Sequence, residues 1–254
     1  MVLVFATAAA DAANSEDLRF PVDNYAVQGA SVFTPQQIGA LLAPYTGPAI
    51  SFSDIEAVRA ALQAAYLRAG WGAALVTIPE QEVAGASIRL QVLEPRLKSI
   101  DLSGNQRFDR ANVLASLPAL RLGSMPNTAE LAGQVALANE NPAKQTEVVF
   151  RSAGEPGQIE AAVQVAEDRL WRRFVSLDNS GTEETGEYRL AAGAQYANLW
   201  NRDHVVTLQY TTSPSAPARV HIFGAGYRIP LYATGDSVEL VAGYSSVDSG
   251  TVQG

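Results

Sequence analysis

The sequence contains no cysteine among its 254 residues. This absence excludes disulfide bonds, zinc sites built on thiolates and cysteine nucleophiles. Histidine is nearly as scarce, because only His204 and His221 are present and both lie in segments with a strand pattern. A metal site or a serine–histidine–aspartate triad requires several suitable side chains to converge. We therefore predict that the chain is not an enzyme and holds no metal or other cofactor.

Positive charge is also limited, since 18 lysines and arginines stand against 26 acidic residues and the formal net charge is -8. The basic residues form no cluster, and a nucleic-acid-binding protein needs a basic face to attract phosphates. The glycine-containing segment 154–157 is too short and isolated to be a phosphate-binding loop. We therefore expect neither a nucleic-acid partner nor a small-molecule substrate. No stretch approaches the roughly 20 apolar residues of a membrane-spanning helix.

Residues 1–18 begin with a short apolar run that is followed by small residues. This order is typical of the end of a secretory signal peptide, and the alanines between positions 8 and 13 resemble a cleavage site. The positively charged region that normally precedes the apolar run is missing, so we expect the natural start to lie upstream. The alternative is an apolar, disordered tail.

The segment Ile88–Asn105 closes one predicted module and opens a second. Its first half alternates, with Ile88, Leu90 and Val92 on one side, as in a half-buried strand. Pro95 cannot donate a ladder hydrogen bond, so the strand is expected to end near Glu94. A second strand follows and ends at the turn signal Gly104-Asn105.

The first module has the pattern strand, helix, helix, strand, strand. Thr34, Pro35 and Gln37 predict the start of a short helix, and Ser53 with Glu56 predicts a capping box for a longer one. The remaining predicted features are a first strand at 22–29, a break at 45–48, a buried helical stripe of Ile55, Val58, Leu62, Tyr66 and Ala69, and strands at 74–78 and 86–94.

The same pattern recurs about 75 residues later. Gly29 corresponds to Gly104, and Phe33 to Phe108. A helix restarts at Asn127, followed by strands at 146–150 and 159–167. We therefore predict an α+β fold of two βααββ modules, at 19–95 and 96–168, with few contacts between them beyond the join at Pro95. Glu94 and Glu167 end equivalent strands and are expected to pair with backbone or arginine near the next domain.

From residue 169 onward the helical periodicity disappears, and strands alternate with turns rich in glycine, asparagine and proline. One face is mostly apolar and the other is polar or glycine-rich, in segments of about ten residues with tyrosines near their ends. This pattern is typical of transmembrane β-barrel strands, and a soluble β-sandwich is the alternative. About five antiparallel strands are predicted at 169–254, fewer than a closed barrel needs, so we expect an incomplete barrel and an amino-terminal fragment. The predicted apolar face contains Tyr188, Leu190, Ala192, Ala194, Tyr196, Val206, Leu208, Tyr210, His221, Phe223, Ala225, Tyr227, Ile229, Leu231, Val238, Leu240, Ala242 and Tyr244.

The order of several short motifs resembles the two-partner secretion transporters of the haemolysin activation/secretion (ShlB/FhaC/HecB-like) type. The motifs, which extend over nearly the whole chain from Arg19, are YLRAGW (66–71), GN (104–105), NENP (139–142), GEPG (154–157), VAE (165–167), LDNSG (177–181), TGEYR (185–189), NLW (198–200) and YRIPL (227–231). In that family two polypeptide-transport-associated (POTRA) modules precede a 16-stranded outer-membrane barrel.

The resemblance implies that the POTRA modules lie in the periplasm and bind an unfolded exported protein, which the lipid-embedded barrel passes across the outer membrane. Strand addition at a sheet edge would bind an unfolded chain with little demand on its sequence. The candidate contacts are Thr146, Val148 and Phe150 on an edge strand and Tyr66 on the first module's helix. Only Lys144 and Glu147 are expected to blunt that edge. Alternatively, 146–150 is a central strand without a free edge.

Two other functions fit parts of the pattern. A barrel-assembly insertase of the outer membrane also combines such modules with a barrel, although it usually carries more modules. A hydrolase anchored by the barrel is a more distant alternative, because the chain offers so few catalytic side chains.

Overall fold

A computed structural model describes residues 19–82 and 86–250. The predicted signal segment at 1–18 lies outside the described residues. The chain forms two compact units. One contains the residues up to 99 together with 121–129 and 151–160, and the other contains 100–120, 130–150 and the residues from 161 onward. Both units therefore draw residues from the second predicted module.

The first module has the predicted order of strand, helix, helix, strand and strand. Strands β2, β5 and β4 form a sheet in that order, with β2 parallel and β4 antiparallel to β5. An additional antiparallel pair, β1 with β3, was not predicted. The elements are β1 (Arg19–Val22), β2 (Asn24–Gln28), α1 (Pro35–Leu42), a 3-10 turn (Ala43–Tyr45), β3 (Gly47–Ser51), α2 (Phe52–Arg68), β4 (Leu75–Thr77) and β5 (Ser87–Leu93).

The two helices begin with capping boxes, one as predicted and one displaced. The Thr34 hydroxyl accepts from the Gln37 N–H, and the Gln37 side chain accepts from the Thr34 N–H, which confirms the predicted start of α1. The cap of α2 is Ser51 rather than Ser53, because Asp54 exchanges both bonds with the extended residue that ends β3. The predicted break at 45–48 accordingly contains the end of the 3-10 turn and the beginning of β3.

The helical stripe predicted for α2 forms the core of the first module. Ile55, Val58, Leu62 and Tyr66 are all buried, whereas Ala69 is exposed and forms the C-cap. Each fully buried leucine or valine contributes roughly 1.5–3 kcal/mol relative to an exposed one. Among the residues that the structure describes, no helix is both long and apolar enough to cross a membrane.

The second module repeats this arrangement. Its three strands form a sheet in the order β6-β8-β7, so β7 is an edge strand and the alternative of a central strand is wrong. The elements are β6 (Arg96–Ser103), α3 (Arg110–Ala115), α4 (Thr128–Ala138), β7 (Lys144–Ser152) and β8 (Gln158–Glu167).

The segment that leads into α4 packs on the first module, so the prediction of few contacts beyond Pro95 is wrong. The Gly70 carbonyl, just past the end of α2, accepts from the Thr128 N–H at 2.8 Å and from its hydroxyl at 3.0 Å. The side chain of Met125 packs against the first module's core. A helix end has carbonyls without helical partners and a helix start has such N–H groups, so the end of α2 and the start of α4 satisfy each other.

The rest of the second unit is one antiparallel sheet of five strands in chain order, which confirms the predicted number. The first strand begins at Trp171. The strands are β9 (Trp171–Asp178), β10 (Arg189–Leu199), β11 (His204–Thr212), β12 (Val220–Leu231) and β13 (Asp236–Val247).

The strand register brings the predicted apolar residues into common rows across the sheet. We call these rows the apolar face; they are Val175–Ala192–Tyr210–Phe223–Tyr244, Arg173–Ala194–Leu208–Ala225–Ala242 and Trp171–Tyr196–Val206–Tyr227–Leu240. The opposite face contains the rows Phe174–Gly193–Gln209–Gly224–Gly243 and Arg172–Gln195–Thr207–Gly226–Val241. The predicted alternation is therefore confirmed.

Candidate functional site

Glu94 closes the first module by binding the loop that precedes α1. One carboxylate oxygen accepts from the backbone N–H groups of Ser31 (2.8 Å) and Val32 (3.1 Å), and the other accepts from the Ser31 hydroxyl. The Tyr66 hydroxyl donates to the first oxygen at 2.7 Å. Four donors thus converge on one carboxylate at the end of β5.

Glu167 does the same in the second module. Its carboxylate accepts from the backbone N–H groups of Gln106, Arg107 and Phe108, at 2.8 to 3.0 Å. The expectation that Glu94 and Glu167 pair with backbone or arginine is confirmed, and Glu167 also lies 3.8 Å from the Arg107 guanidinium. The expected location near the next domain is wrong, because each carboxylate binds the loop of its own module. The equivalence of the two positions is confirmed.

The pKa values around Glu94 follow from this geometry. Burial alone would raise the pKa of Glu94, but the hydrogen bonds from Ser31, Tyr66 and Val32 outweigh it and lower that pKa. Burial and the bond to Glu94 raise the pKa of the Tyr66 phenol. Glu94 is therefore an ionised acceptor and Tyr66 a neutral donor.

Tyr66 is not placed to touch a partner. Its side chain is 0% exposed, and its ring meets Phe33 edge-on at 4.9 Å between centroids. The predicted partner contact at Tyr66 is thus replaced by a structural role, in which the phenol joins α2 to the strand end at Glu94.

The edge strand β7 carries the other three predicted contacts. The Thr146 N–H donates to the Asn139 side chain at 2.6 Å, and the Thr146 carbonyl accepts from the same side chain at 3.0 Å. Asn139 therefore covers the outer main-chain groups of Thr146, whose own side chain is buried. Because main-chain groups of alternate residues point the same way along a strand, those of Val148 and Phe150 also face outward. Both side chains are half-buried.

Lys144, at the start of β7, does not blunt the edge as predicted. Its ammonium lies 2.5 Å from the Asp203 carboxylate in the turn between β10 and β11, and the two side chains are 0% and 1% exposed. The ammonium also donates to Asn112 of α3 at 3.2 Å and lies 5.0 Å from the centre of the Phe108 ring. Burial lowers the pKa of Lys144, and the adjacent Asp203 carboxylate opposes that shift.

Asp203 is the centre of this buried network. Besides Lys144, its carboxylate accepts from the Asn112 amide at 3.1 Å and from the Tyr232 hydroxyl at 2.5 Å. Burial and the adjacent Asp203 charge raise the pKa of Tyr232, which keeps that phenol protonated as a donor. A buried ion pair needs such additional hydrogen bonds to offset the loss of hydration.

The NENP segment, 139–142, extends these contacts along the same end of the five-stranded sheet. Asn141 donates to the Ala197 carbonyl at 2.7 Å, Glu140 pairs with Arg228, and the Pro142 carbonyl accepts from Arg172. The sequence shows NENP as a motif but does not indicate its partners. Its partners lie 30 to 88 residues further along the chain.

The two histidines bond to tyrosines of neighbouring strands. His204 Nδ1 lies 2.5 Å from the Tyr227 hydroxyl, and His221 Nδ1 lies 2.8 Å from the Tyr210 hydroxyl. Within residues 19–82 and 86–250 no cluster of three or more histidine or acidic side chains could hold a metal ion.

Two known family models match this chain, one in the first module and one that extends from the second module into the five-stranded sheet. Residues 20–95 match the POTRA domain of the ShlB type. Residues 157–239 match the haemolysin secretion/activation protein ShlB/FhaC/HecB.

Two curated relatives are similar over most of the chain. The heme/hemopexin transporter protein HuxB of Haemophilus influenzae is 21% identical over 187 residues, which are 72% of this chain and 33% of HuxB. The outer membrane transporter CdiB of Escherichia coli is 23% identical over 194 residues, 73% of this chain and 31% of CdiB. The chain thus spans about a third of the length of these relatives.

Solved structures show the same fold. CdiB from Escherichia coli matches with a TM-score of 0.74 at 19% identity, over 90% of this chain and 43% of that chain. CdiB from Acinetobacter baumannii matches with a TM-score of 0.60 at 14% identity, over 89% and 48%. The five-stranded sheet is accordingly part of a CdiB-like fold rather than a soluble sandwich. A ShlB-type POTRA domain and a segment similar to the haemolysin secretion/activation protein ShlB/FhaC/HecB thus follow one another in this chain, in the order that the sequence motifs predicted.

Proposed function

We propose that this chain works in an outer-membrane transporter of the two-partner secretion type. The modules bind an exported protein in its unfolded state, and a barrel that includes β9–β13 passes it across the membrane. The names of the curated relatives HuxB and CdiB describe transporters, which supports transport rather than catalysis. The family match at 157–239 favours secretion over the barrel-assembly alternative.

The observation that carries this proposal is the position of β7. It is an edge strand of its sheet, and its first residue, Lys144, is buried against the turn between β10 and β11. A polypeptide that added to the outer side of β7 would run beside the end of the five-stranded sheet. Capture of the exported protein at β7 and its transfer through the barrel would then take place next to each other.

Strand addition at β7 would use the outward main-chain groups of Val148 and Phe150. Natural edges are usually blunted by charges, proline or bulges. Here the Asn139 side chain covers only the Thr146 groups, which also marks where an added strand would have to begin. Main-chain pairing places little demand on the side chains of the exported protein.

This function implies a placement in the cell envelope. The modules lie in the periplasm, and the apolar face of β9–β13 contacts the lipid of the outer membrane. The large side chains of Leu208, Phe223 and Leu240 on that face are at least half exposed in this structure. Lipid contact removes such side chains from water.

Val148→Pro in the full-length transporter tests the docking edge. Proline removes the outward N–H of residue 148 without removing a bond inside the sheet, because that N–H faces away from β8. We expect the affinity for the amino-terminal secretion segment of the exported partner to fall at least tenfold. Val148→Thr is the matched control, since it keeps both the N–H and a β-branched side chain.

Two results would contradict the proposal. A folded Val148→Pro protein with unchanged affinity would place the contact elsewhere on the modules. Deletion of the gene in the native host distinguishes the alternative function: general loss of outer-membrane proteins would indicate an insertase, whereas loss of a single exported protein is expected for secretion.

A further inference from the structure

Arg173 is the charged member of the apolar face. In the strand register it is opposite Ala194, and its row continues through Leu208 and Ala225 to Ala242. The neighbouring rows of that face, which begin at Val175 and at Trp171, contain only apolar and aromatic side chains. One guanidinium therefore extends from an otherwise uncharged surface.

Within the described residues, Arg173 has no ion pair or hydrogen bond from its side chain. The adjacent Arg172 is different, because it lies on the opposite face and binds Asp168 at 3.2 Å and the Pro142 carbonyl. An arginine cannot lose its proton at physiological pH, so it needs an anion when it leaves water. The apolar face itself supplies no carboxylate for this purpose.

The position of Arg173 along its strand indicates where that anion is found. It is the third residue of β9, two residues beyond Trp171. At roughly 3.3 Å per residue and a tilt near 40°, its Cα lies about 5 Å deeper than that of Trp171. A long arginine side chain spans that distance and can return to the polar boundary of the membrane.

Two aromatic side chains mark this boundary. The rings of Trp171 and Tyr196 lie side by side on the apolar face, 4.9 Å apart between centroids. Tryptophan and tyrosine are enriched at the level of lipid headgroups, where the ring is apolar and its N–H or O–H is solvated. Arg173, Trp171 and Tyr196 together provide one cation and two neutral donors at one end of the sheet.

From this arrangement we propose that Arg173, Trp171 and Tyr196 form a binding site for the phosphate of a glycerophospholipid. The inference rests on the proposed membrane placement of β9–β13. The site lies at the end of the sheet that carries the second module, so the lipid belongs to the periplasmic leaflet. The guanidinium binds the phosphate oxygens, and the two aromatic residues flank the headgroup and the first acyl carbons.

The test uses the full-length protein inserted in nanodiscs of phosphatidylethanolamine and phosphatidylglycerol. Insertion is verified first by the heat-modifiable migration of the folded barrel, so a failure of the membrane placement is detected separately. Protein released from the nanodiscs is then analysed by native mass spectrometry for retained phospholipid. We expect Arg173→Gln to retain one phospholipid fewer per protein than the wild type, and Arg173→Lys to retain as many.

Arg172→Gln is the matched control, because it removes the same charge one residue away on the opposite face, and its retained lipid is expected to equal that of the wild type. A second measurement is used if Arg173→Gln loses the bound phospholipid only in part. Quenching of Trp171 fluorescence by a spin-labelled lipid headgroup should be at least twofold weaker in Arg173→Gln than in the wild type. Equal retention and equal quenching in Arg173→Gln and the wild type would overturn the proposal. A loss of folding stability in Arg173→Gln with unchanged phospholipid retention would also overturn the proposal. It would indicate that Arg173 pairs with a carboxylate elsewhere in the protein.

Discussion

Lys144 and Asp203 form a buried ion pair that connects the second module to the turn between β10 and β11 of the five-stranded sheet. Their charged groups lie 2.5 Å apart, and Asn112 and Tyr232 complete the hydrogen bonds of the carboxylate. The pair joins the start of the proposed docking strand to the sheet. Its removal should therefore affect both folding and secretion.

Asp203→Asn is expected to lower the free energy of unfolding of the full-length protein by about 3–5 kcal/mol. The amide cannot balance the Lys144 charge, which then remains buried without a counterion. The double variant Lys144→Met with Asp203→Leu removes both charges and is expected to lose less stability than Asp203→Asn. Denaturant unfolding in detergent micelles, followed by tryptophan fluorescence, measures both. Equal losses in the single and double variants would show that charge pairing is not the main contribution.

Glu94→Gln should change how the stability of the first module depends on pH. The folded-state pKa of Glu94 is lowered from the usual 4.5. The contribution of Glu94 to the stability of the module is therefore fully present above pH 4.5. It is lost as the pH falls through the lowered folded-state pKa of Glu94. Glutamine has no such titration and also weakens the bonds to Ser31 and Tyr66, by about 1.5–3 kcal/mol at neutral pH.

Hydrogen exchange at the Ser31 and Val32 amides reports this effect locally. In the wild type, protection should decrease as the pH falls below 4.5, after correction for intrinsic exchange. In Glu94→Gln it should be lower at neutral pH and nearly independent of pH. A wild-type profile that stays flat down to pH 2 would show that the carboxylate does not hold the loop.

Leu208→Arg tests the assignment of the two sheet faces. Leu208 is the fifth residue of the nine in β11 and lies on the apolar face. An arginine at the bilayer midplane destabilises the inserted barrel by about 2–4 kcal/mol. The fraction of assembled barrel should therefore fall sharply. Gln209→Arg, on the opposite face, is the matched control and should assemble nearly as well as the wild type. The folded fraction in isolated outer membranes is the measurement, and equal damage from both variants would contradict the assignment.

The local features of the fold followed from short sequence patterns. Thr34 and Gln37 lie three residues apart and cap α1 without any help from the rest of the chain. The matching positions of Gly29 and Gly104 show why the repeat of the two modules could be recognised from the sequence. Both have positive φ, and a Cβ there would come within 2.2 Å of a carbonyl of the partner strand. Only glycine fits such a turn, so it recurs at the same place in both modules.

Other features were not accessible from local patterns. Both Ser51 and Ser53 had a suitable acidic residue three positions later, and the pairing of β3 with β1 decided between them. Tyr66 has helical spacing that fits either a core residue or a groove contact, and only packing against Phe33 and Glu94 shows that it is buried.

The two βααββ modules and the five alternating strands were predictable from the sequence, because periodicity and capping depend on residues a few positions apart. The composition excluded cysteine chemistry. The role of Lys144, by contrast, became visible only in the three-dimensional structure. A lysine beside an edge strand is a solvated gatekeeper unless a carboxylate is brought to it, and Asp203 lies 59 residues further along the chain. Such a pairing depends on which backbone segments come together in the folded chain. That arrangement also decides whether the side chain is buried and whether its charge has a partner.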